Sequence, residues 1–247
     1  MATSFKELGS NDLAITRTLL HESIPITGTI VSGTYADLNI KNYAHGMFQS
    51  VYDYPHLSSS ANSIFDLTVG YSSVSALSGT ANVTQQPKKI NIYNEMAQVL
   101  VGFDETGSLR RFDQDGNILD GGAKIDEAVF INLTRLLTKD EVKKTSFTMS
   151  LATGGVAPKP EFENLLTISD YGASTAFKTN SPAGEYGILY TSSAAPNTAS
   201  GVGLIYYQAG VVVLTGSVFD SQFGGMTETY DTGSFDRVMT GSAISAS

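Results

Sequence analysis

Apolar and polar positions fall into three patterns along the chain, and each predicts a different kind of element. In "GLIYYQ" and "VVVLTGSVF" the apolar residues run unbroken: Leu204, Ile205, Tyr206 and Tyr207, then Val211, Val212, Val213 and Leu214 after Gln208-Ala209-Gly210. A strand with one face in water alternates apolar and polar residues, so these runs predict strands covered on both faces. The shorter runs "SFTMSLA", "LLTISDYG" and "YGILYTSS", set apart by Gly, Pro, Asn and Ser clusters, predict further strands, with "SSAAPNTASGVG" a loop between them. "SIFDLTVGYS" and "SALSGTANVT" read as strand or loop.

The second pattern is helical. In "KKINIYNEMAQVLVG", Ile92, Met96, Val99 and Leu100 fall at i, i+4, i+7 and i+8, one stripe on a helix, and Gly102 stands where a C-terminal stop belongs. "TKDEVKK" predicts a second, short helix. There Thr138 and Glu141 have capping-box spacing, with acidic residues in the first turn and Lys143 and Lys144 in the last. Between the two helices, Asp104–Gly107 and Asp113–Asn117 read as hairpin turns.

The third pattern is sparse. Residues 1–35 mix a polar start with "TRTLLHESIPITGTIVSGTY", where Pro25 breaks any helix and Gly28 and Gly33 punctuate short β-branched runs. Such a segment hardly buries its own apolar groups. It is either a frayed tail ending in an edge strand or an extended arm whose Leu19, Leu20, Ile24 and Ile26 dock on a neighbour by strand addition. After it, Tyr43, Phe48, Tyr52 and Tyr54 form an aromatic patch, as core or as contact surface. Past Phe223 the chain turns Gly/Ser/Thr-rich and weakly patterned.

These elements predict an α+β, mainly β fold: an antiparallel sheet or sandwich with one or two helices and an extended N-terminal arm. The expected organisation is an arm over 1–35, a mainly-β structural domain over 36–222, and a flexible tail over 223–247. One face of 204–214 is expected to pack on the helix at 90–101, and part of the other on a different subunit.

Composition narrows the function. Charged residues make up only 16% of the 247, and the net charge is −9, with the basic residues scattered rather than clustered. Phosphate backbones need grouped Lys and Arg, so nucleic acid is not an expected partner. The absence of cysteine excludes disulfides, thiolate metal sites and a cysteine nucleophile. No window has the ~18 consecutive apolar residues of a membrane span, so no membrane partner is expected.

The candidate chemistry is weak. Asp113-Gln114-Asp115-Gly116-Asn117 with Asp120 invites comparison with a calcium loop, which needs Gly at position 6 and Glu at position 12. Counted from Asp113, Gly116 falls at position 4, Ile118 at position 6, and Lys124 at position 12, where a lysine repels the cation. An ordinary turn is the expectation. His21, His45 and His56 share no ligand spacing, and no Gly-x-Ser-x-Gly elbow is present. No catalytic residue, metal or cofactor is therefore expected, and the chain reads as no enzyme. The 12 tyrosines and absent tryptophan suit protein contacts, in which the ring buries area and the hydroxyl finds a partner.

A set of whole phrases adds a resemblance. "TRTLLHESIPITGTIVSGTYADLNIKNYAHGMFQSVYDYPHLSSSANSIFDLTVGYS", "KKINIYNEMAQVLVGFD", "INLTRLLTKDEVKK" and "GLIYYQAGVVVLTGSVF", over most of residues 16–220, resemble virion structural proteins of large contractile-tailed (myovirus-type) bacteriophages, including those of cyanobacteria. The resemblance implies a virion part made in the host bacterial cytoplasm, most naturally in the tail, neck or baseplate region, and it transfers no active-site residue. Its partners would be other virion proteins and further copies of the chain. The rival expectations are a capsid decoration protein and a host-glycan-binding adhesin module. For partner contacts the expected residues are Leu19, Leu20, Ile24 and Ile26 of the arm with Tyr206 and Tyr207 of the strand. The relatives also carry sequence beyond "MTGSAISAS", so a shorter version of such a protein is the expectation.

Overall fold

The computed structural model describes residues 39–43, 47–79, 86–118, 121–154, 163–191 and 201–219. The arm over 1–35, with Leu19, Leu20, Ile24 and Ile26, and the segment 223–247 lie outside the described residues.

In chain order the elements are β1 (Ile40–Asn42), β2 (Phe48–Tyr52), β3 (Ser63–Tyr71), a 3₁₀ turn (Ala76–Gly79), α1 (Gln86–Leu100), β4 (Phe112–Asp113), β5 (Lys124–Ile125), β6 (Glu127–Leu133) and α2 (Arg135–Thr138). They continue with β7 (Thr148–Gly154), β8 (Glu163–Ser169), α3 (Ala173–Ala176), β9 (Lys178–Ser181), β10 (Gly184–Tyr190), β11 (Gly201–Tyr206), β12 (Val211–Thr215) and a closing 3₁₀ turn (Gly216–Phe219). Among the described residues ten strands form one antiparallel sheet in the order β1-β2-β3-β6-β12-β11-β10-β8-β7, with β9 paired to β10, while β4 and β5 make a separate hairpin. The mainly-β, α+β class is therefore what the chain adopts. Among the described residues no helix is long and apolar enough to cross a membrane.

Register decides which side chains share a face. Val69 stands opposite Val129, Val129 opposite Leu214, and Leu67 opposite Ile131 and thence Val212 and Ile205. These residues belong to one buried cluster, joined by Tyr207, Leu189 and Ile168, with Met149, Leu151 and Leu166 of the β7–β8 hairpin packed against it. The alternate residues Phe130, Val213, Leu204, Tyr206 and Tyr186 face the other way and meet Ile92, Tyr93, Ala97 and Leu100 of α1. Both faces of β11 and β12 are thus covered by this chain's own elements, and every residue of the two strands is buried. The expected packing on the helix is present, but the expectation that another subunit covers the opposite face is corrected: the chain's own β7–β8 hairpin and its neighbours cover it.

The helix lies where its spacing places it, and it ends with Gly102 at φ +79°, a conformation that side chains resist. Its buried stripe is rotated from the expected one. Tyr93, Ala97 and Leu100 are fully buried, whereas Val99 is 65% exposed. The reason lies in β3. A Cβ on Gly70 would stand 2.9 Å from the Lys89 carbonyl oxygen and 2.9 Å from the Tyr93 backbone nitrogen. The helix therefore rests backbone to backbone on Gly70, and this close approach turns Tyr93, Ala97 and Leu100 to the sheet.

The second helix is also displaced. α2 ends at Thr138, the residue expected to begin it, and Lys139 takes φ +48°. The chain beyond it is tied to the core instead, because the Val142 N–H donates to the Tyr207 carbonyl at 2.9 Å.

Candidate functional site

Tyr206 and Tyr207, expected at a partner contact, are each 1% exposed. Adjacent strand residues point to opposite faces, so the pair is split between the two sides of the core. Tyr206 stacks on Tyr186 at 5.0 Å and meets the edge of Phe112 at 6.5 Å. Phe112 in turn contacts Tyr93 at 5.4 Å and Phe130 at 5.6 Å, completing a five-ring group. The Tyr93 hydroxyl donates to the Ile125 carbonyl at 2.7 Å and accepts from the Phe112 N–H at 3.3 Å, tying α1 to the β4–β5 hairpin. Burial first of all raises the pKa of the Tyr93, Tyr186 and Tyr206 hydroxyls, so these rings stay neutral.

Tyr207 does a different job. Its ring lies over Gly187, where a Cβ would strike the hydroxyl, and that hydroxyl donates to Asp170 at 3.0 Å. The same carboxylate accepts the backbone N–H of Thr145 at 2.7 Å and of Phe147 at 3.1 Å. Asp170 thereby joins the approach to β7, the exit from β8 and the central strand. Burial raises its pKa, and the hydrogen bonds from Thr145, Tyr207 and Phe147 only partly oppose that. As partner contacts the two tyrosines are corrected: both are spent inside the fold. The arm residues Leu19, Leu20, Ile24 and Ile26 lie outside the described residues.

The acidic turn is a hairpin between β4 and β5. Asp113 accepts the Asp115 N–H at 3.1 Å and forms an ion pair with the Lys124 amine. The residue at position 12 thus supplies the positive charge that a bound cation would otherwise supply. Asp115 is turned to Asn117, whose N–H and side-chain amide donate at 3.1 and 2.8 Å. Burial, followed by the close Asp115 carboxyl, raises Asp113, while hydrogen bonding to Asp113 holds Asp115 below the usual range. Asp120 lies outside the described residues, and among those described no three His, Cys, Asp or Glu side chains stand together as a metal site. His56 packs beside Tyr52 at 6.3 Å, and His21 and His45 lie outside the described residues.

One surface feature has no counterpart in the sequence reading. Because α1 is seated at the Gly70 end of β3, the sheet's helix-bearing face leaves a groove of about 470 Å³ beside the helix. Met47, Phe48, Ile92, Met96, Val99 and Phe130 make it mainly apolar, and Asp66 and Glu95 add two carboxylates. Asp66 is fixed by the Ser50 hydroxyl at 2.5 Å, and the Thr68 hydroxyl holds the Met47 carbonyl at 2.5 Å. The expected aromatic patch reaches its neighbourhood only in part: Tyr43 packs on Phe48 at 4.5 Å and carries the Lys41 amine over its ring at 4.8 Å.

No known protein family matches the chain, and no curated protein or solved structure matches it.

Proposed function

We propose that this chain is a non-enzymatic structural subunit of a bacteriophage virion, belonging to the tail, neck or baseplate region and assembling through its N-terminal arm and its apolar surface. The phrase-level resemblance supports the virion assignment. The observation that carries the assembly role is the division of labour among side chains. Each buried carboxylate holds a loop: Asp53 accepts twice from Asn62, Asp113 pairs with Lys124, and Asp170 gathers three donors. Val99, by contrast, is left exposed beside the half-buried Met47, Phe48 and Met96, where contact with another protein would remove them from water.

The test is the mass of the purified chain by light scattering after gel filtration, beside a version lacking residues 1–30. A defined oligomer that falls to monomer without the arm is the expected result. Monomer in both forms would remove the assembly role and favour a glycan-binding module, which sugar-array binding would then reveal.

A further inference from the structure

A strand at the end of a sheet presents unpaired backbone groups, and folded chains guard such strands with shortness, lysine, proline or bulges. Among the described residues three strands of the large sheet have a single partner: β1, β9 and β7. β1 has three residues and carries Lys41; β9 has four and carries Lys178. β7 is unlike both: its seven residues, TMSLATG, include no charge and no proline.

The backbone of β7 shows which groups it offers. In an antiparallel pair, residues that exchange hydrogen bonds alternate with residues that do not. The Asp170 N–H donates to the Phe147 carbonyl at 3.4 Å, so Phe147 and Asp170 are of the first kind. The register makes Met149/Ile168 and Leu151/Leu166 bonded pairs as well. Thr148, Ser150 and Ala152 fall between them, and their N–H and C=O groups point away from β8, to the outer edge. Thr148 and Ser150 are exposed, while Met149 and Leu151 pack on the core.

This edge is complementary to itself. When a second β7 is set antiparallel to it with a two-fold axis at Ser150, Ser150 meets the partner's Ser150 and Thr148 meets the partner's Ala152. The outward backbone groups of each copy then satisfy those of the other. Met149 falls opposite the partner's Leu151, so the apolar layer under β7 continues across the axis. Charge favours the same direction. Exposed Lys143 stands ahead of β7, and Glu163 holds the register position opposite Gly154 at its far end. Antiparallel pairing sets the basic end of each copy beside the acidic end of the other.

We propose that this chain forms a two-fold dimer in which β7 pairs antiparallel with β7 of a second copy, centred on Ser150. This rests on the assembly role and names one of its surfaces. The occupant is a second copy because one register supplies the backbone partners, the apolar pair and the opposite charges together. Pairing over 148–152 alone buries less than the ~1,000 Å² that a specific interface needs. The edge therefore sets the register of a contact to which the arm adds the remaining area.

The chain has no cysteine, so an introduced thiol is the only one present. Full-length Ser150→Cys chain is treated with a short bismaleimide linker, beside Lys41→Cys and Lys178→Cys on the other two edges. Cross-linked dimer is expected from Ser150→Cys at about tenfold or more the yield of either control, as held proximity raises effective concentration. Ser150→Pro removes an N–H that the β8 ladder does not use, and Ser150→Lys places like charges on the axis. Both are expected to lower the mass seen by light scattering to that of a monomer, with the circular dichroism of the fold kept. Equal cross-linking at all three edges, or an unchanged mass in Ser150→Lys, would overturn the proposal. If an arm-dependent oligomer persists in that case, the assembly role survives and only this interface fails. A chain that is monomeric with and without residues 1–30 would overturn both.

Discussion

On the α1 side of the sheet, five rings (Tyr93, Phe112, Phe130, Tyr186 and Tyr206) touch one another in a chain of contacts. On the opposite side the fully buried residues are mostly Val, Ile and Leu, and the polar fastening is gathered at one carboxylate, Asp170. The same strands supply both sides, alternating residue by residue. The difference shows two ways of adding irregular chain to a sheet. On the aromatic side the Tyr93 and Tyr186 hydroxyls donate to backbone carbonyls in the loops around them, so the 112–125 hairpin is held at several points. The aliphatic side has little polarity to offer and holds its loops through a single hub.

Phe130→Ala tests the aromatic side at its centre, where Phe130 touches both Tyr93 and Phe112. Removing a fully buried ring is expected to cost about 3–5 kcal/mol in chemical denaturation, the largest loss of the set. Asp170→Ala tests the hub. It leaves the Thr145 and Phe147 N–H groups and the Tyr207 hydroxyl without their acceptor, and the expected loss is about 2–3 kcal/mol. A loss no greater than the ~1 kcal/mol typical of one hydrogen bond would erase the contrast between the two sides.

Lys89→Met has the smallest expected effect, and the opposite sign. It sharpens the comparison, because Lys89 of α1 is a buried polar group that fastens no loop. The residue is 1% exposed, and its amine has no hydrogen-bond partner among the described residues. Burial, aided by the neighbouring Lys88 charge, brings its pKa down to about 8 from 10.5. Between those values the unfolded chain holds a proton that the folded chain has lost, so this group makes stability rise as pH rises through that window. The substitution is expected to stabilise the protein by about 1–2 kcal/mol at pH 7 and to remove that rise from the variant's pH profile. An unchanged profile would show that the amine is solvated in the fold.

How much of the fold is legible in the sequence depends on how local the signal is. The β11–β12 pair is legible because two covered faces demand an unbroken apolar run. The helix is legible from its period, but its orientation is not, since the close approach that Gly70 permits is a property of two elements together. β6, the strand beside β12, is hidden because "EAVFINL" lies between a glycine turn and "LTRLL" and has no alternation to separate strand from helix. The capping spacing at Thr138 misleads because the tie of Val142 to Tyr207 outweighs a local preference. The groove cannot be read from the sequence at all, since its walls come from residues as distant as Met47 and Asn132.

The placement of β6 and β12 side by side also sets an order of events during synthesis. Val129 waits for Leu214, and Ile131 for Val212, partners more than eighty residues later. Among the described residues, the strand that fills the middle of the sheet is the last one made, so a growing chain exposes Phe130 and Ile131 until translation is nearly past Thr215. Long-range pairing of this kind folds slowly and is open to wrong partners in the interval. For this protein the hazardous moment is the wait on the ribosome for β12.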